Sequence, residues 1–327
     1  VASVMHERAH ALGRGGLGAV FGSKKLKAMS ATSPGGGRRE AGEPLVRIRK
    51  EIAELAARSP IGAGYRDFGT PAVTSLTNEL GAFPADFFTK GTAPHRSTLE
   101  AEGWSEWATR EHLPCPPCPM RCRKRLTLTE GPGKGRVVHG AEYEALYSFG
   151  GSCLVEHARD IALLSERCNQ LGVDTVSTGN LVAAAIKARE LSPAGNVSPV
   201  AKDAPAAGDA KAIDELLQAI ANRSTSLGDT LAAGLDDALT ALGIPEWSIT
   251  SKRLDPAGYE PRRLKGMALS NALSVRGACH LRAAFYKPDL QGELEGFDDT
   301  TYVETYIDFE DRMMLLDSLT MCRFYRD

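Results

Sequence analysis

Three cysteines lie close together in one short, proline-rich part of this sequence. Cys115, Cys118 and Cys122 follow the spacing C-x2-C-x3-C within the segment LPCPPCPMRCRK. Thiolates with this spacing can reach three corners of one inorganic cluster, and the interleaved prolines stiffen the segment, so less chain entropy is lost on ligation. The spacing favours a four-iron, four-sulfur cluster over zinc, because cysteine-rich zinc sites usually show two separated C-x2-C pairs.

A cluster of this kind needs a fourth ligand, which another cysteine can supply. The candidates are Cys153, Cys168, Cys279 and Cys322. Cys322 directly follows a predicted helix, whereas Cys168 shares an apolar helix face with Leu171 and is expected in the core. These positions alone leave the fourth ligand open. No export signal precedes the cysteines, and cytosolic thiols stay reduced, so we expect no disulfide framework.

The elements that must position these thiols are predicted to be mainly helical. Apolar residues follow helical spacing in six segments, which are residues 45–59, 161–171, 181–191, 213–220, 231–242 and 301–319. Pro60 ends the first of these segments, and Gly243 is in position to cap the fifth. Residues 26–31 are expected to form a strand.

Other stretches lack helical periodicity. Residues 80–141 contain much Pro and Gly, which predicts that the cysteines lie on a loop able to bend three thiolates towards one point. Residues 194–211, AGNVSPVAKDAPAAGDAK, are expected to form a mobile linker or surface excursion. A Gly-rich turn at residues 13–18 precedes a short apolar run near the beginning of the sequence.

The composition excludes several classes of protein. The 327 residues are 43% apolar, enough to bury a core, which excludes a disordered chain or a fibre. Lys and Arg number 39 against 41 Asp and Glu, so no positive field recommends nucleic acid or anionic lipid as a partner. No apolar run reaches the roughly 18 residues of a membrane span and no signal peptide is present, so we expect a soluble, cytoplasmic protein. The first residue is Val rather than Met, so we expect a fragment.

Six segments, spread over residues 13–324, together resemble one enzyme family. In chain order they read GRGGLGAVFGSKKLKAM, CPPCPMRC, GAEYEALYSFG, CNQLGVDTVSTGN, DPAGYEPRRLKGMALSNALSVRGACHLR and DSLTMCRF. Similar segments follow one another in this order in the tungsten-containing aldehyde:ferredoxin oxidoreductases. The resemblance implies a mainly α fold, made of the helical second and third domains of that family and preceded by the end of its β-rich first domain.

The same resemblance implies limits for these domains. Residues 1–40 would be the C-terminal tail of the pterin-binding β domain, and residues 41–205 a helical domain that carries the cysteine loop. Residues 206–327 would begin the second helical domain, which contains RGACHLR and the fourth cysteine. The chain would then lack most of the N-terminal domain and the C-terminal end of the family's fold.

Two cofactors are implied by the resemblance. A 4Fe-4S cluster would be held by Cys115, Cys118, Cys122 and Cys322, so the resemblance selects the fourth ligand. A tungsten or molybdenum bis-pterin would be contacted by small residues that let backbone N–H groups approach an anion, and by neighbouring polar side chains. The implied contacts are Arg14, Gly15, Gly16, Leu17, Gly18, Asn169, Gly172, Val173, Asp174, Arg276, Arg282, Asp317 and Met321.

Two pterin motifs of the family, of the form D-x-x-G-L-(D or C), are altered in this chain. Asn169 begins the first motif and can form hydrogen bonds, but it lacks the charge of Asp. Thr320 in the second motif takes the place of a Gly, which suits a positive φ. The alterations put the pterin geometry beside Cys322 in doubt.

A His and a Glu stand beside the metal in the family. They correspond to His280 in RGACHLR and Glu144 in GAEYEAL, with Glu142 as the alternative to Glu144. Oxidation of an aldehyde to a carboxylic acid adds an oxygen from water and releases two electrons and two protons, so side chains must handle protons. A buried His, or a Glu whose pKa is raised, suits that task.

The resemblance thus implies an enzyme that converts small aldehydes to carboxylic acids. Electrons would pass through the cluster to ferredoxin or a similar carrier. The alternatives are a reductase of the same fold acting on another substrate such as an aromatic acyl thioester, an electron-transfer module that keeps only the cluster, and a zinc-stabilised scaffold. A homodimer is compatible with the family, and no nucleic-acid or membrane partner is expected.

Overall fold

The computed structural model describes residues 1–6, 10–32, 42–113, 115, 118–192 and 197–325. The predicted domain boundary at residue 40 and residues 194–196 of the predicted linker lie outside these ranges. Within them, helices greatly exceed strands, which confirms the mainly α fold. No helix of the described residues combines the length and the apolar character needed to cross a membrane.

The helices follow one another along the chain. In order they are α1 (Leu17–Ser23), α2 (Glu43–Arg58), α3 (Pro60–Phe68), α4 (Thr74–Glu79), α5 (Arg96–Leu99), α6 (Tyr143–Ala145), α7 (Ala158–Leu171), α8 (Thr175–Leu191), α9 (Ala210–Asn222), α10 (Ser226–Ala232), α11 (Leu235–Leu242), α12 (Lys265–Leu273), α13 (Tyr286–Gln291) and α14 (Asp299–Ser318). A π-helix, Leu146–Ser152, continues α6. The predicted helices at 45–59, 161–171, 181–191, 213–220 and 301–319 are confirmed as α2, α7, α8, α9 and α14.

The strands are few and short. β1 (Met5–His6) pairs with β2 (His10–Ala11). A second, antiparallel sheet has the order β3 (Ala108–His112), β4 (Lys124–Leu128) and β5 (Val137–His139). The interpretation of residues 80–141 as loop is therefore wrong for these strands and for α5. These elements are too short to show a periodic pattern in the sequence. The three cysteines do lie on a loop, between β3 and β4.

One apolar core extends from Ala82 to Leu316 and surrounds α8. Nearly every residue of α8 between Val176 and Ala188 is buried, because other helices cover it on all sides. Its burial explains why the sequence of this helix is Ala-rich and shows no polar face. Through its first turn, this rigid central helix positions part of the candidate site described below.

Three sequence interpretations are corrected by the structure. Residues 26–31 form no strand, and Met29 among them is 79% exposed. The predicted helix at 231–242 is broken at Gly234, whose φ of 107° interrupts the helical path between α10 and α11. The predicted linker is not a mobile excursion over Pro199–Asp203, which forms a 3₁₀ turn that buries Ala201 in the core.

Candidate functional site

The Gly-rich turn begins the site. Gly15 and Gly16 have φ angles of 109° and 80°, which side-chain-bearing residues rarely adopt, and α1 begins directly after them. A Cβ at Gly18 would lie 2.6 Å from the backbone of Ala2 and Ser3, so only glycine permits this close approach. The turn is therefore fixed against the first residues of the described chain.

Those first residues join the turn to the start of α8. Ser3 N donates to Gly172 O at 2.8 Å, and Asp174 N donates to Val1 O at 2.8 Å. Gly172, with φ 69°, ends α7 in the left-handed conformation, and Val173 between the two is buried. Asp174 then caps α8, since its carboxylate accepts from the backbone N–H groups of Val176 and Ser177. Three predicted cofactor residues, Gly172, Val173 and Asp174, thus lie together beside the first residues of the chain.

The side chain of Arg14, which lies in this turn, contacts other residues of the chain. Its Nε donates to Asp174 Oδ2 at 2.9 Å, and its Nη2 lies 2.9 Å from Asp255 Oδ2 and donates to Ser177 Oγ. Burial opposes the charge of Arg14, but the carboxylates of Asp255 and Asp174 outweigh it and raise the pKa of the guanidinium. Its donors are therefore directed mainly to protein carboxylates.

Asp255 connects this ion pair to the core, which sequence reasoning missed. Its carboxylate accepts from Ser177 Oγ at 2.8 Å and from Asn180 Nδ2 at 2.6 Å. Tyr147 Oη in turn donates to Asn180 Oδ1 at 2.7 Å. The sequence signal for Asp255 is its position at the start of DPAGYE, within one of the segments that carry the family resemblance.

Glu144 and His280, the two residues that the resemblance assigns to a place beside the metal, come together in the structure. Glu144 Oε1 lies 3.5 Å from His280 Nε2, and Glu144 Oε2 accepts from Gly258 N at 2.9 Å. Oε1 makes no hydrogen bond to a described residue. Glu142 instead accepts a hydrogen bond from Thr70 and faces the cysteine loop, so it is Glu144 that stands beside His280.

The surroundings of Glu144 hold its carboxyl near its titration point. Burial raises its pKa to about 7, while the Gly258 hydrogen bond and the Arg14 charge oppose the rise and Asp174 adds to it. The rings of Tyr259 and His280 are 5.7 Å apart, and Tyr259 stacks on Tyr286 at 3.9 Å. At neutral pH the carboxyl is therefore present in both its ionised and its protonated form. It can accept and release a proton.

A pocket of about 290 Å³ opens beside the glycine turn. It is lined by Gly15, Gly16, Asp174 and Arg276, among others. Arg282 is not part of its lining. Its Nε has no hydrogen-bond partner among the described residues, and its charge acts on Tyr306 of α14. Of the three arginines that the resemblance assigns to the cofactor, only Arg276 lines this pocket, and the contact of Arg14 or Arg282 with a cofactor stays a prediction.

The cysteine loop is the tip of a β-hairpin. Leu113 N donates to Arg123 O at 3.0 Å, which continues the β3–β4 ladder to the loop. Lys124 is buried, and its ammonium donates to the carbonyls of Tyr65, Arg121 and Cys122 at 2.9–3.2 Å. This anchor was missed from the sequence, although Lys124 follows Cys122 by two residues.

The four predicted cluster ligands lie near one another. Burial, together with the negative charges of Glu142, Cys322, Cys118 and Cys115, raises the pKa of Cys122 to about 12. Cys118 Sγ lies 3.1 Å from Tyr325 Oη. No group of three or more His, Cys, Asp or Glu side chains in the described part of the chain is close enough to hold a single metal ion.

The second altered pterin motif follows α14. Thr320 has φ 54°, so the missing Gly is replaced by a residue that nevertheless adopts the left-handed conformation. Asp317 binds Arg323 through both carboxylate oxygens, at 3.2 and 2.5 Å. Met321 and Tyr325 line a larger, mainly apolar cleft of about 740 Å³. In the first motif, Asn169 accepts from Gly172 N through its backbone carbonyl, at 3.3 Å.

The described residues fit both implied cofactors. Four thiols are soft donors of the type that iron–sulfur clusters require. At Gly15 and Gly16 an added Cβ would meet no atom within 4 Å, so the space over the turn is open to a ligand.

Comparisons with known proteins identify one family. Residues 47–327 match the family model of the aldehyde ferredoxin oxidoreductases, domains 2 and 3. Tungsten-containing aldehyde ferredoxin oxidoreductases of Pyrococcus furiosus and Thermococcus kodakarensis are each 30% identical to the chain, over 99% of its length and 53% of theirs. A subunit named as a WOR-like aliphatic sulfonate oxidoreductase from P. furiosus is 28% identical, over 94% of this chain and half of its own length. The chain spans about half the length of these curated relatives.

Proposed function

Because the chain belongs to the aldehyde ferredoxin oxidoreductase family, we propose that it is part of an enzyme that oxidises aldehydes to carboxylic acids. The observation that carries this proposal is the contact of 3.5 Å between Glu144 and His280. It joins a carboxyl of raised pKa to an imidazole beside the Gly-rich turn. A structural His–Glu pair has no need of a pKa near 7, whereas an acid–base pair does.

The proposed reaction adds the oxygen of one water to the aldehyde and releases two electrons and two protons. A tungsten–pterin or molybdenum–pterin cofactor, when bound, supplies the two-electron chemistry. Glu144 in its ionised form would accept a proton from the attacking water at Oε1. His280 would orient that carboxylate through Nε2, and Tyr259 and Tyr286 would limit the entry of bulk water.

The residues that would hold the pterin are those of the turn and of the α8 start. Gly15 and Gly16 leave their backbone open towards the pocket, and Arg276 lines the same space. Arg14 would act indirectly, because its guanidinium fixes Asp174 and Asp255 and thereby the position of the turn. Its proposed role is therefore positioning.

The electrons would leave through a 4Fe-4S cluster held by Cys115, Cys118, Cys122 and Cys322, and then pass to ferredoxin or a similar carrier. The charges of Cys115, Cys118 and Cys322, which act on the Cys122 thiol, support the assignment. No particular contact favours the thioester reductase, the cluster-only module or the zinc scaffold.

The test compares two His–Glu pairs in the full-length protein, produced without oxygen and supplied with tungstate or molybdate. His280→Asn should lower aldehyde oxidation with a viologen dye by about 100-fold or more, while metal content and the absorption near 400 nm persist. His139→Asn is the matched control, because His139 Nδ1 lies 3.3 Å from Glu166 Oε2 outside the site. Undiminished turnover in the His280 variant would refute the acid–base role, and the absence of both metals from the wild type would refute the enzyme assignment.

A further inference from the structure

A two-residue turn beside the pocket adopts an unfavourable backbone conformation. Lys252 and Arg253 have φ angles of 50° and 64°, both in the left-handed region. The turn is closed by two hydrogen bonds of 3.0 Å between Ser251 and Leu254. Turns of this shape normally contain Asn and Gly, because side chains are strained there. Neither residue of this turn is of that kind.

Surrounding contacts hold the strained turn in place. The ammonium of Lys252 donates to the carbonyls of Ala272 and Ser274, at 2.8 and 2.7 Å, where α12 ends. A Cβ at Gly277 would come within 2.1 Å of Ser251 O, so the segment that carries Arg276 packs directly on the turn. The turn and that segment therefore form one unit.

This unit places two arginine residues at one small pocket. Arg253 and Arg276 both line the 290 Å³ space that contains Gly15 and Gly16. Arg253 is 69% exposed, and Asp237 Oδ2 accepts from its Nη2 at 2.7 Å. Arg276 donates from Nη2 to the thiol of Cys279 at 2.6 Å, which leaves its other nitrogens available. Two positive charges at one pocket repel each other until an anion binds between them.

The acidic groups of the pocket do not cancel this arrangement. Asp174 and Asp255 also line it, but both are paired with Arg14. Asp237 is exposed and is the acidic partner of Arg253 at the edge. An anion with several oxygens could displace it, because a guanidinium matches phosphate oxygens with two parallel hydrogen bonds.

We propose that Arg253 and Arg276 bind a phosphate group of the organic cofactor at this pocket, with Lys252 as the residue that holds the turn. The proposal rests on the proposed function, because that function supplies a phosphate-bearing pterin. It adds a binding residue that the sequence motifs did not contain. This role explains why a strained Lys-Arg pair occupies the turn, since a relaxed Asn-Gly turn would carry no guanidinium.

The test uses inorganic pyrophosphate and calorimetric titration of this chain. Arg253→Gly should weaken binding about tenfold or more, through loss of a charge-assisted pair. The same change should raise the unfolding midpoint, because glycine adopts the positive φ without strain. A merely structural Arg253 would move only the unfolding midpoint.

Arg223→Gly is the matched control. Arg223 also has a positive φ, of 51°, and pairs with Asp229 at 2.6 Å, but it lies at the end of α9 outside the pocket. This variant should also unfold at a higher temperature, with unchanged affinity for pyrophosphate. Arg276→Gln should weaken binding, and Asp237→Asn should strengthen it by removing the competing carboxylate.

Two results would overturn the proposal: no saturable binding by the wild-type chain, or an Arg253→Gly affinity within twofold of wild type. In the cofactor-loaded full-length protein, the cofactor should already fill the site, so added pyrophosphate should not bind. Binding there would overturn the assignment to the cofactor. None of these outcomes bears on the Glu144–His280 contact, so failure here is distinguishable from failure of the proposed activity.

Discussion

Arg14 Nε donates a hydrogen bond of 2.9 Å to Asp174 Oδ2, a residue 160 positions later in the chain. The bond joins the Gly-rich turn to the first turn of α8, and both side chains are at most 15% exposed. A buried ion pair contributes specificity when each partner also satisfies its other hydrogen bonds. Here Asp174 additionally caps the helix, so one carboxylate fixes two elements.

Asp174→Asn should lower the free energy of unfolding by about 3 kcal/mol, because it leaves the buried charge of Arg14 with Asp255 as its remaining partner. Asn retains one of the two oxygens that cap α8, so the loss reports the ion pair together with one cap hydrogen bond. Asp209→Asn, at the exposed cap of α9, should cost about 1 kcal/mol or less. Urea denaturation at pH 7 measures both. Equal losses would contradict the ion-pair explanation.

The ion pair of Arg14 and Asp174 also predicts how the stability changes at low pH. Burial raises the pKa of Asp174, but the charge and hydrogen bonds of Arg14 outweigh burial and lower it below the ordinary value. A lowered folded-state pKa gives stability that is present above the unfolded pKa, near 4, and is lost as the pH falls through the folded value. Below about pH 4 the wild type should therefore lose stability more steeply than Asp174→Asn. Parallel curves would show that Arg14 does not shift this carboxyl.

The pH dependence of stability that Glu144 contributes should have the opposite sign. Burial raises its pKa to about 7, so its contribution is present below the unfolded pKa, near 4.3, and is lost as the pH rises towards 7. The loss between pH 4 and 8 should be about 3 kcal/mol. Glu144→Gln should flatten that slope, whereas Glu215→Gln, on the exposed side of α9, should leave it unchanged. Urea unfolding at four pH values checks this, and an unchanged slope in the Glu144 variant would place its carboxyl at an ordinary pKa.

We propose that Cys322 is a cluster ligand, whereas Cys153 is a buried core residue. Cys322→Ser should reduce the iron content and the absorption near 400 nm of anaerobically prepared protein, because serine is a harder and poorer ligand. Cys153→Ser is the control, since Cys153 is fully buried and its thiol donates to Gly179 O at 3.3 Å. If the two variants hold equal iron, the fourth ligand is misassigned. Colourless protein with stoichiometric zinc would instead support the zinc scaffold.

Local spacing was enough to find the longer helices and the cysteine loop, because both depend on near neighbours, but shorter helices such as α3 and α12 were missed. The cysteines at 115, 118 and 122 lie on a loop as expected, and helices with a clear apolar repeat were found nearly to their ends. The break at Gly234 was missed, since the apolar repeat continues through it while the backbone does not. Short strands such as β5 carry too few residues to show alternation.

Partners distant in sequence could not be predicted. Arg14 was expected to contact a cofactor, but Asp174 and Asp255 bind it from 160 and 241 positions away. Glu142 and Glu144 look equivalent in the sequence. They differ because Glu142 turns towards Thr70 before α6 begins, while Glu144 reaches the backbone of Gly258. Only tertiary packing makes that distinction.

Lys124 is predicted to support the cysteine loop. Its buried ammonium donates to three carbonyls, so Lys124→Met should cost about 3 kcal/mol by leaving those acceptors unpaired. Iron incorporation should fall as well, because the loop would lose its anchor beside Cys122. Lys134→Met, in the exposed turn between β4 and β5, should change neither quantity. Full iron content in the Lys124 variant would show that the loop holds its shape without this anchor.

Replacement of Thr by Gly should have opposite effects on the free energy of unfolding at Thr320 and at Thr305. Thr320 has φ 54°, a conformation that is strained for a β-branched residue. Thr320→Gly should raise the free energy of unfolding by about 1 kcal/mol, because relief of strain exceeds the added entropy of the unfolded chain. Thr305→Gly, within α14, should lower it by about 1 kcal/mol, since glycine is unfavourable inside a helix. Urea denaturation of both variants measures the difference, and destabilisation by Thr320→Gly would mean that the Thr320 side chain makes contacts worth more than its strain.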